Sequence, residues 1–250
     1  MPDPVLSLHG LSKHFGGLAA VSDVSFDLDR RQVHAVIGPN GAGKTTLINL
    51  LSGELAPSSG SIVFGEHDIT GLGADRVARL GIARSYQKTN IFAGFSVFEN
   101  CRLAAQARLL PAMRCFRPAR SYAEVNAAAE HALVLAGLAG RVADLAGALS
   151  HGEQRQLEIA MTLATAPQVL LLDEPLAGMG AEESAGIIEL VAVLAREHAI
   201  LLVEHDMDAV FSVAAVLTVM VNGRVLATGT PDAIRANKAV QDAYLGDVTQ

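Results

Sequence analysis

The run Gly38-Pro39-Asn40-Gly41-Ala42-Gly43-Lys44-Thr45, followed by Thr46, fits the spacing G-x-x-x-x-G-K-[ST], and few short patterns constrain a chain as strongly. It follows an apolar β-like run, Val33 to Ile37, and opens a helix predicted from Gly43 to about Glu54, with Leu47, Leu50 and Leu51 on one face. Strand, glycine-rich turn and helix in that order turn successive backbone N–H groups toward one point. The helix N-terminus adds a positive field. Lys44 adds a point charge, and the Thr45 hydroxyl is a ligand for Mg²⁺. The expectation is a polyphosphate cradle built from Gly38, Pro39, Asn40, Gly41, Ala42, Gly43, Lys44, Thr45 and Thr46.

A second run, Val169-Leu170-Leu171-Leu172-Asp173-Glu174-Pro175, is four apolar residues that end in two acids. An uninterrupted apolar run suits a parallel strand buried on both faces, and ligands of open α/β sheets sit at the C-terminal ends of such strands. Asp173 is then expected to hold Mg²⁺, and Glu174 to polarise an attacking water as general base. On its own the stretch reads as a solvated acidic turn after a core strand; the phosphate loop elsewhere in the chain changes that reading.

Strand-like runs at Val5 to His9, Val24 to Leu28 and Ser61 to Phe64 precede or flank the loop, with Gly and Asp turns between them. A short helical stretch (Asp75 to Leu80) leads to a run at Ile82 to Tyr86. From Ser96 to about Ala166 the apolar period becomes helical, as at Leu103 and Ala107, then Ala129, Leu133 and Ala136. Within it, Leu109 to Tyr122 carries Arg114, Arg117 and Arg120 and reads as an exposed basic loop. Alternation resumes with a helix from about Ala181 to Glu197, a run at Ile200 to Val203, and two strands (Val216 to Val221, Val225 to Thr228) around the turn Asn222-Gly223. The pattern predicts a parallel α/β core carrying a helical subdomain.

With 19 Lys and Arg against 26 Asp and Glu, a net charge of -7 argues against a nucleic-acid partner. A mean hydropathy of +0.33 is high. The longest uncharged apolar stretch of the C-terminal third, Ala209 to Val221, is nevertheless shorter than the ~18 residues of a spanning helix. The N-terminus has no basic and apolar leader pattern. Cys101 and Cys115 lack metal-ligand spacing and read as reduced structural thiols. A soluble chain this apolar points to a docking surface.

Leu149-Ser150-His151-Gly152-Glu153-Gln154 precedes a helix with Leu157, Ala160, Met161 and Ala164 on one face. Ser150 with Glu153 three residues on forms a capping box, and a Ser hydroxyl with a Gly backbone at a helix N-terminus can take an anion. Here the sequence resembles the ATP-binding cassette (ABC) family, whose signature is L-S-G-G-Q; phosphate loop, signature, Asp-Glu strand and a later His205 stand in the family's order across essentially the whole chain. The resemblance implies a P-loop NTPase: a RecA-like parallel core, an N-terminal antiparallel β subdomain and a helical insert. As one domain over 1–250, the core falls at about 1–90 and 160–230, the helical part at about 91–159, and a short extension at about 231–250.

The same resemblance implies that Ser150, Gly152 and Glu153 meet the γ-phosphate held by the other cassette of a head-to-tail pair. It assigns Phe15 to adenine stacking, Gln87 to Mg²⁺ and the attacking water, and His205 to the γ-phosphate. ATP and Mg²⁺ are the implied ligands. The chain departs from the pattern at His151, which leaves Ser150 and Gly152 in place, and at Gly180, which cannot supply the Asp side chain of many D-loops.

Ser85 to Phe92, the signature variant and the tail from Gly229 to Gly246 look like the cassettes of bacterial branched-chain amino acid importers. That group implies a second cassette, two membrane permease subunits, a periplasmic binding protein acting indirectly, and a peripheral place on the cytoplasmic face of the inner membrane. Urea or other amide importers and lipopolysaccharide-export cassettes share much of the pattern. A soluble repair or translation ATPase would carry a long coiled coil or a second cassette, and this sequence has neither. A degenerate regulatory nucleotide binder fits poorly with intact Lys44, Asp173, Glu174 and His205.

Overall fold

The computed structural model describes residues 4–86, 90–109 and 118–245. Gln87 and most of the basic loop, including Arg114, Cys115 and Arg117, lie outside them. The remaining arginine of that loop, Arg120, is exposed and pairs with Glu99 at 3.4 Å.

The chain begins with long antiparallel strands β1 (Pro4–Phe15) and β2 (Leu18–Asp29), extending well beyond the apolar runs that signalled them. They extend because β1 pairs on both edges, with β2 and with β4 (Ser59–Phe64), so its polar residues also enter the ladder. With the short β5 (His67–Asp68) they form a sheet of order β2-β1-β4-β5. This is the expected N-terminal antiparallel subdomain.

The second sheet holds β3 (Val33–Ile37), β6 (Ile82–Arg84), β7 (Val169–Asp173), β8 (Ala199–Val203), β9 (Val216–Val221) and β10 (Arg224–Gly229). Its order is β10-β9-β3-β8-β7-β6, parallel throughout except for β10, which returns antiparallel along β9. Alternate residues of its central strands enter two different cores. Leu170, Leu172, Ile200 and Leu202 face one, while Val169, Leu171, Leu201 and Val203 face the other. That two-sided burial explains why β3, β7 and β8 read as continuous apolar runs.

Between β3 and β4 runs α1 (Lys44–Leu51), which ends three residues before the sequence pattern predicts. It stops before Gly53, whose φ of +74 side chains rarely adopt and whose Cβ would stand 2.6 Å from the Leu72 carbonyl oxygen. α2 (Ala74–Leu80) leads into β6. The insert between β6 and β7 is helical: α3 (Val97–Leu109), α4 (Ala123–Leu135) and α5 (His151–Leu163). Since α5 runs unbroken to Leu163, the boundary expected at 159/160 falls inside a helix that joins insert to core.

Across the sheet, α6 (Ala181–Leu194) joins β7 to β8 and α7 (Met207–Val213) joins β8 to β9. α6 is shorter than expected: Glu197 bonds back to Leu194 in a closing turn. The tail forms α8 (Pro231–Ala236) and α9 (Lys238–Leu245), which bury Ile234 and Val240 in the larger core. Arg235 also stacks over the Phe211 ring at 4.3 Å. The Asn222-Gly223 hairpin has φ of +49 and +77, as the type I′ turn requires. Its Gly223 N–H donates to the Ala42 carbonyl at 3.0 Å, bracing the phosphate loop from below.

Candidate active site

Because β3, β8 and β7 are neighbours and parallel, their C-terminal ends open on one edge. The glycine-rich loop leaves β3, Glu204 and His205 follow β8, and Asp173 and Glu174 close β7. Residues far apart in sequence are thereby gathered by strand order alone.

The loop's glycines are dictated by contact as well as by torsion. At Gly43, φ is +98 and a Cβ would lie 2.3 Å from the Ala20 carbonyl oxygen; at Gly38 it would lie 2.1 Å from the Met220 carbonyl oxygen. Lys44 is buried, and its Nζ donates to the Gly38 and Pro39 carbonyls at 2.6 and 3.1 Å. Burial lowers its pKa, while Glu174 and Asp173 nearby work in the opposite direction. A cleft of ≈ 480 Å³ is lined by Phe15, Asn40, Gly41, Ala42, Gly43, Lys44, Thr45, Thr46 and Glu174. Phe15 and the loop residues from Asn40 to Thr46 thus share one cleft, while Gly38 and Pro39 are not among those lining it. Phe15 stands at its rim, 48 % exposed, as a ring that stacks on a flat base needs to be.

Asp173 is buried at the end of β7, and burial pushes its carboxyl above the usual range. Arg84 opposes that push: Nη2 donates to Asp173 Oδ2 at 2.9 Å, while Nη1 reaches Asn49 at 2.6 Å and Glu54 at 3.1 Å. Glu174 is only partly buried and has a φ of +47, unusual for a residue with a side chain. Its N–H is held by the Val203 carbonyl at 2.8 Å. The Thr45 hydroxyl and the Asp173 carboxylate are hard oxygen donors, the kind Mg²⁺ takes alongside water and phosphate oxygens. The residues present fit the ion.

His205 projects from the end of β8 with its side chain 64 % exposed and Nδ1 3.6 Å from Glu204 Oε2. Glu204 is fully buried: Oε1 accepts from Leu176 N at 2.7 Å and Oε2 from His205 N at 3.0 Å. It ties the segment after Glu174 to the segment bearing His205, and burial raises its pKa.

Ser150, Gly152 and Glu153 stand apart from the cleft, at the N-terminus of α5. The capping box is complete: Ser150 Oγ accepts from Glu153 N at 3.2 Å, and Glu153 Oε2 accepts from Ser150 N at 2.9 Å. Arg141 bonds the other Glu153 oxygen at 2.8 Å, and together these hold the Glu153 pKa below the usual range. Glu153 therefore builds the helix end. The accepting bond uses a Ser150 lone pair and leaves the hydroxyl proton for another acceptor. The Gly152 N–H donates to Glu183 Oε1 at 3.1 Å. Gly180, in the D-loop, caps α6 without a side-chain bond.

Arg84, Arg155, Glu158, Glu183 and Glu204 are structural members of this site that motif reading passes over. A signal existed for Arg84, Glu158 and Glu204, each a charge next to or within an apolar run, and for Arg155, which stands at i,i+3 from Glu158 on one helix; Glu183 carries no such signal.

A cradle on β3, acids on β7, a histidine after β8 and a capped helix on the insert together define a P-loop nucleotide-hydrolysing domain. Residues 21–177 match the family model described as ABC transporter. Residues 224–248 match one described as branched-chain amino acid ATP-binding cassette transporter. The chain belongs to the ABC transporter family, as one of its ATP-hydrolysing cassettes.

It is 40% identical over 256 residues to the high-affinity branched-chain amino acid transport ATP-binding protein LivG of Salmonella typhimurium, spanning 99% of this chain and 100% of that one. The corresponding BraF protein of Pseudomonas aeruginosa is also 40% identical, over 260 residues covering 99% of this chain and 100% of its own. Among solved structures, the ADP conformation of an ATP-binding cassette of an ABC transporter superposes with a TM-score of 0.86 at 28% identity, over 97% of this chain and 99% of that one.

Proposed function

We propose that this cassette energises import of branched-chain amino acids, working head-to-tail with a second cassette under two permease subunits at the cytoplasmic face of the inner membrane. The observation that carries the reading is the near-full-length similarity to LivG and BraF, reinforced by the match of the C-terminal residues 224–248. Among the described residues no helix is long and apolar enough to cross a membrane. A groove of ≈ 280 Å³ between the β6 side of the core and α5, lined in part by Glu54, Arg84, Tyr86, Asn90 and Glu158, supports docking of a permease segment.

In this reading Phe15 stacks on the base, and the loop amides with Lys44 take the β- and γ-phosphates. The phosphates supply the counter-charge that buried Lys44 otherwise draws from Glu174 and Asp173. Thr45, Asp173 and Gln87 would hold Mg²⁺, which would supply neutralisation of charge developing on the phosphoryl oxygens. Glu174 accepts the proton of the attacking water. His205 orients against the γ-phosphate, and Ser150 and Gly152 meet it from the partner cassette.

In the full chain, Glu174→Gln is expected to lower kcat by about a hundredfold or more while ATP binds as before; undiminished turnover would remove Glu174 from its role. For cargo, cells lacking the protein should lose uptake of labelled leucine and regain it with the wild-type chain but not with Lys44→Ala. Loss of urea uptake alone, or of lipopolysaccharide export, would move the cassette to one of those related systems.

A further inference from the structure

Arg155 has no part in the reaction just described, yet its side chain is fully engaged beside the site. It is 3% exposed and lies on α5, about one turn beyond the Ser150 cap. Every N–H of its guanidinium has an acceptor. Nε donates to the Pro175 carbonyl at 3.2 Å, and Nη2 to the carbonyls of Asp173 and Glu174 at 3.1 and 3.0 Å. Nη1 serves the Tyr86 carbonyl and the Glu158 carboxylate. The other Glu158 oxygen accepts from Tyr86 N at 2.9 Å.

Three of these acceptors are consecutive carbonyls of the segment that bears the metal-binding acid and the base. Another belongs to the residue directly before Gln87. A single planar cation thus joins the helix that begins with the signature, the end of β7 and the exit from β6. Glu174 needs such a hold, because its φ of +47 is a conformation that surroundings must enforce. Val203 grips its N–H, and Arg155 grips its carbonyl. Between them they fix the peptide planes on both sides of the Cα from which the carboxylate departs.

We infer that Arg155 is a positioning residue for hydrolysis, aiming the Glu174 carboxylate by clamping the Asp173–Pro175 carbonyls to the signature helix. The inference rests on Glu174 being the base. Lysine cannot replace the clamp: its ammonium is a compact charge without the planar fork that meets several acceptors in one plane.

The experiment measures steady-state hydrolysis and nucleotide affinity in the full chain for wild type, Arg155→Lys, Glu174→Gln and the double variant. Arg155→Lys is expected to lower kcat about tenfold to a hundredfold with ATP affinity changed less than about threefold, since small misplacement of a reacting group costs that much. A residue serving the fold alone would reduce the amount of folded protein and leave turnover per bound nucleotide intact. The double variant should be no slower than Glu174→Gln, because a residue that acts through another adds nothing once that other is gone. Multiplying losses would overturn the inference, as would normal kcat in Arg155→Lys beside an inactive Glu174→Gln. Full activity in Glu174→Gln would instead remove the base assignment on which the inference stands. Should Arg155→Lys fail to fold, Glu158→Ala removes one acceptor of the guanidinium. It should then lower kcat about threefold at unchanged affinity, and unchanged kcat there would overturn the clamp.

Discussion

His34 shows how one buried side chain sets a pH dependence for the whole fold. In β3, one residue from the start of the strand that feeds the phosphate loop, it is 1% exposed. Nδ1 lies 3.2 Å from the Asp27 carbonyl and Nε2 2.8 Å from Thr218 Oγ1, which in turn lies 2.9 Å from Thr228 Oγ1. A carbonyl can only accept, so Nδ1 carries the proton and Nε2 receives one from Thr218. Burial lowers the pKa from 6.5 to about 4. Between those values the unfolded chain binds the extra proton and the folded chain does not. The neutral ring's contribution is therefore complete above about pH 6.5 and lost as pH falls toward 4, about 3 kcal/mol in all. Asp173, Glu158 and Glu204 slope the other way, since burial raises their pKa values and favours folding at low pH. Urea denaturation at several pH values should show His34→Gln losing the acid-side decline relative to wild type; identical slopes would contradict the assignment.

Much of the site was readable from residue types, and much of its rigidity was not. Lys44, Thr45, Asp173 and Glu174 stand in short patterns whose spacing is itself the chemistry, and strand adjacency brings them to one edge. Arg84 and Glu204 escaped because each acts across the sheet, on partners 89 and 28 residues away. No local period records such distances. The βαβ core was legible for the same reason as the loop: strands buried on both faces advertise themselves as apolar runs. The length of β1 was not, because its polar residues follow a two-edged ladder rather than a pattern of burial.

At the scale of elements, α5 carries the most consequence. Its N-terminus presents Ser150 and Gly152, its middle holds Arg155 and Glu158, and its far end packs Leu163 into the core. The capping box fixes where that helix starts, and the Arg141 bond to Glu153 steadies it from outside the helix. Ser150→Ala should cost roughly 1 kcal/mol, seen as a melting temperature lower by about 2–4 °C for a domain of this size. Ser150→Thr should restore most of it, because a threonine hydroxyl caps as well. If Ser150→Ala melts with wild type, the cap is not what anchors the helix. Hydrolysis offers a separate readout: alanine also removes the hydroxyl proposed for the partner's γ-phosphate, so turnover should fall further than the lost stability explains.

At the scale of the whole molecule, the signature end of α5 and the nucleotide cleft are separate surfaces of one chain, with no signature residue among those lining the cleft. A site needing both is completed by a second chain, and in a closed symmetric pair each chain gives its cleft to one site and its helix end to the other. Lys44→Ala damages only the cleft. Gly152→Asp damages only the helix end, since an added Cβ would stand 2.9 Å from Glu183 Oε1 and its carboxylate would face a phosphate. Each variant alone should be inactive, as both of its sites are broken. Mixed in equal amounts, they form hybrid pairs in which the intact cleft of one chain meets the intact signature of the other. With random pairing and independent sites, the mixture should hydrolyse ATP at about a quarter of the wild-type rate. A mixture as silent as its components would show that identical chains do not complete each other's sites. A single variant retaining full activity would show that its surface is not needed for hydrolysis at all.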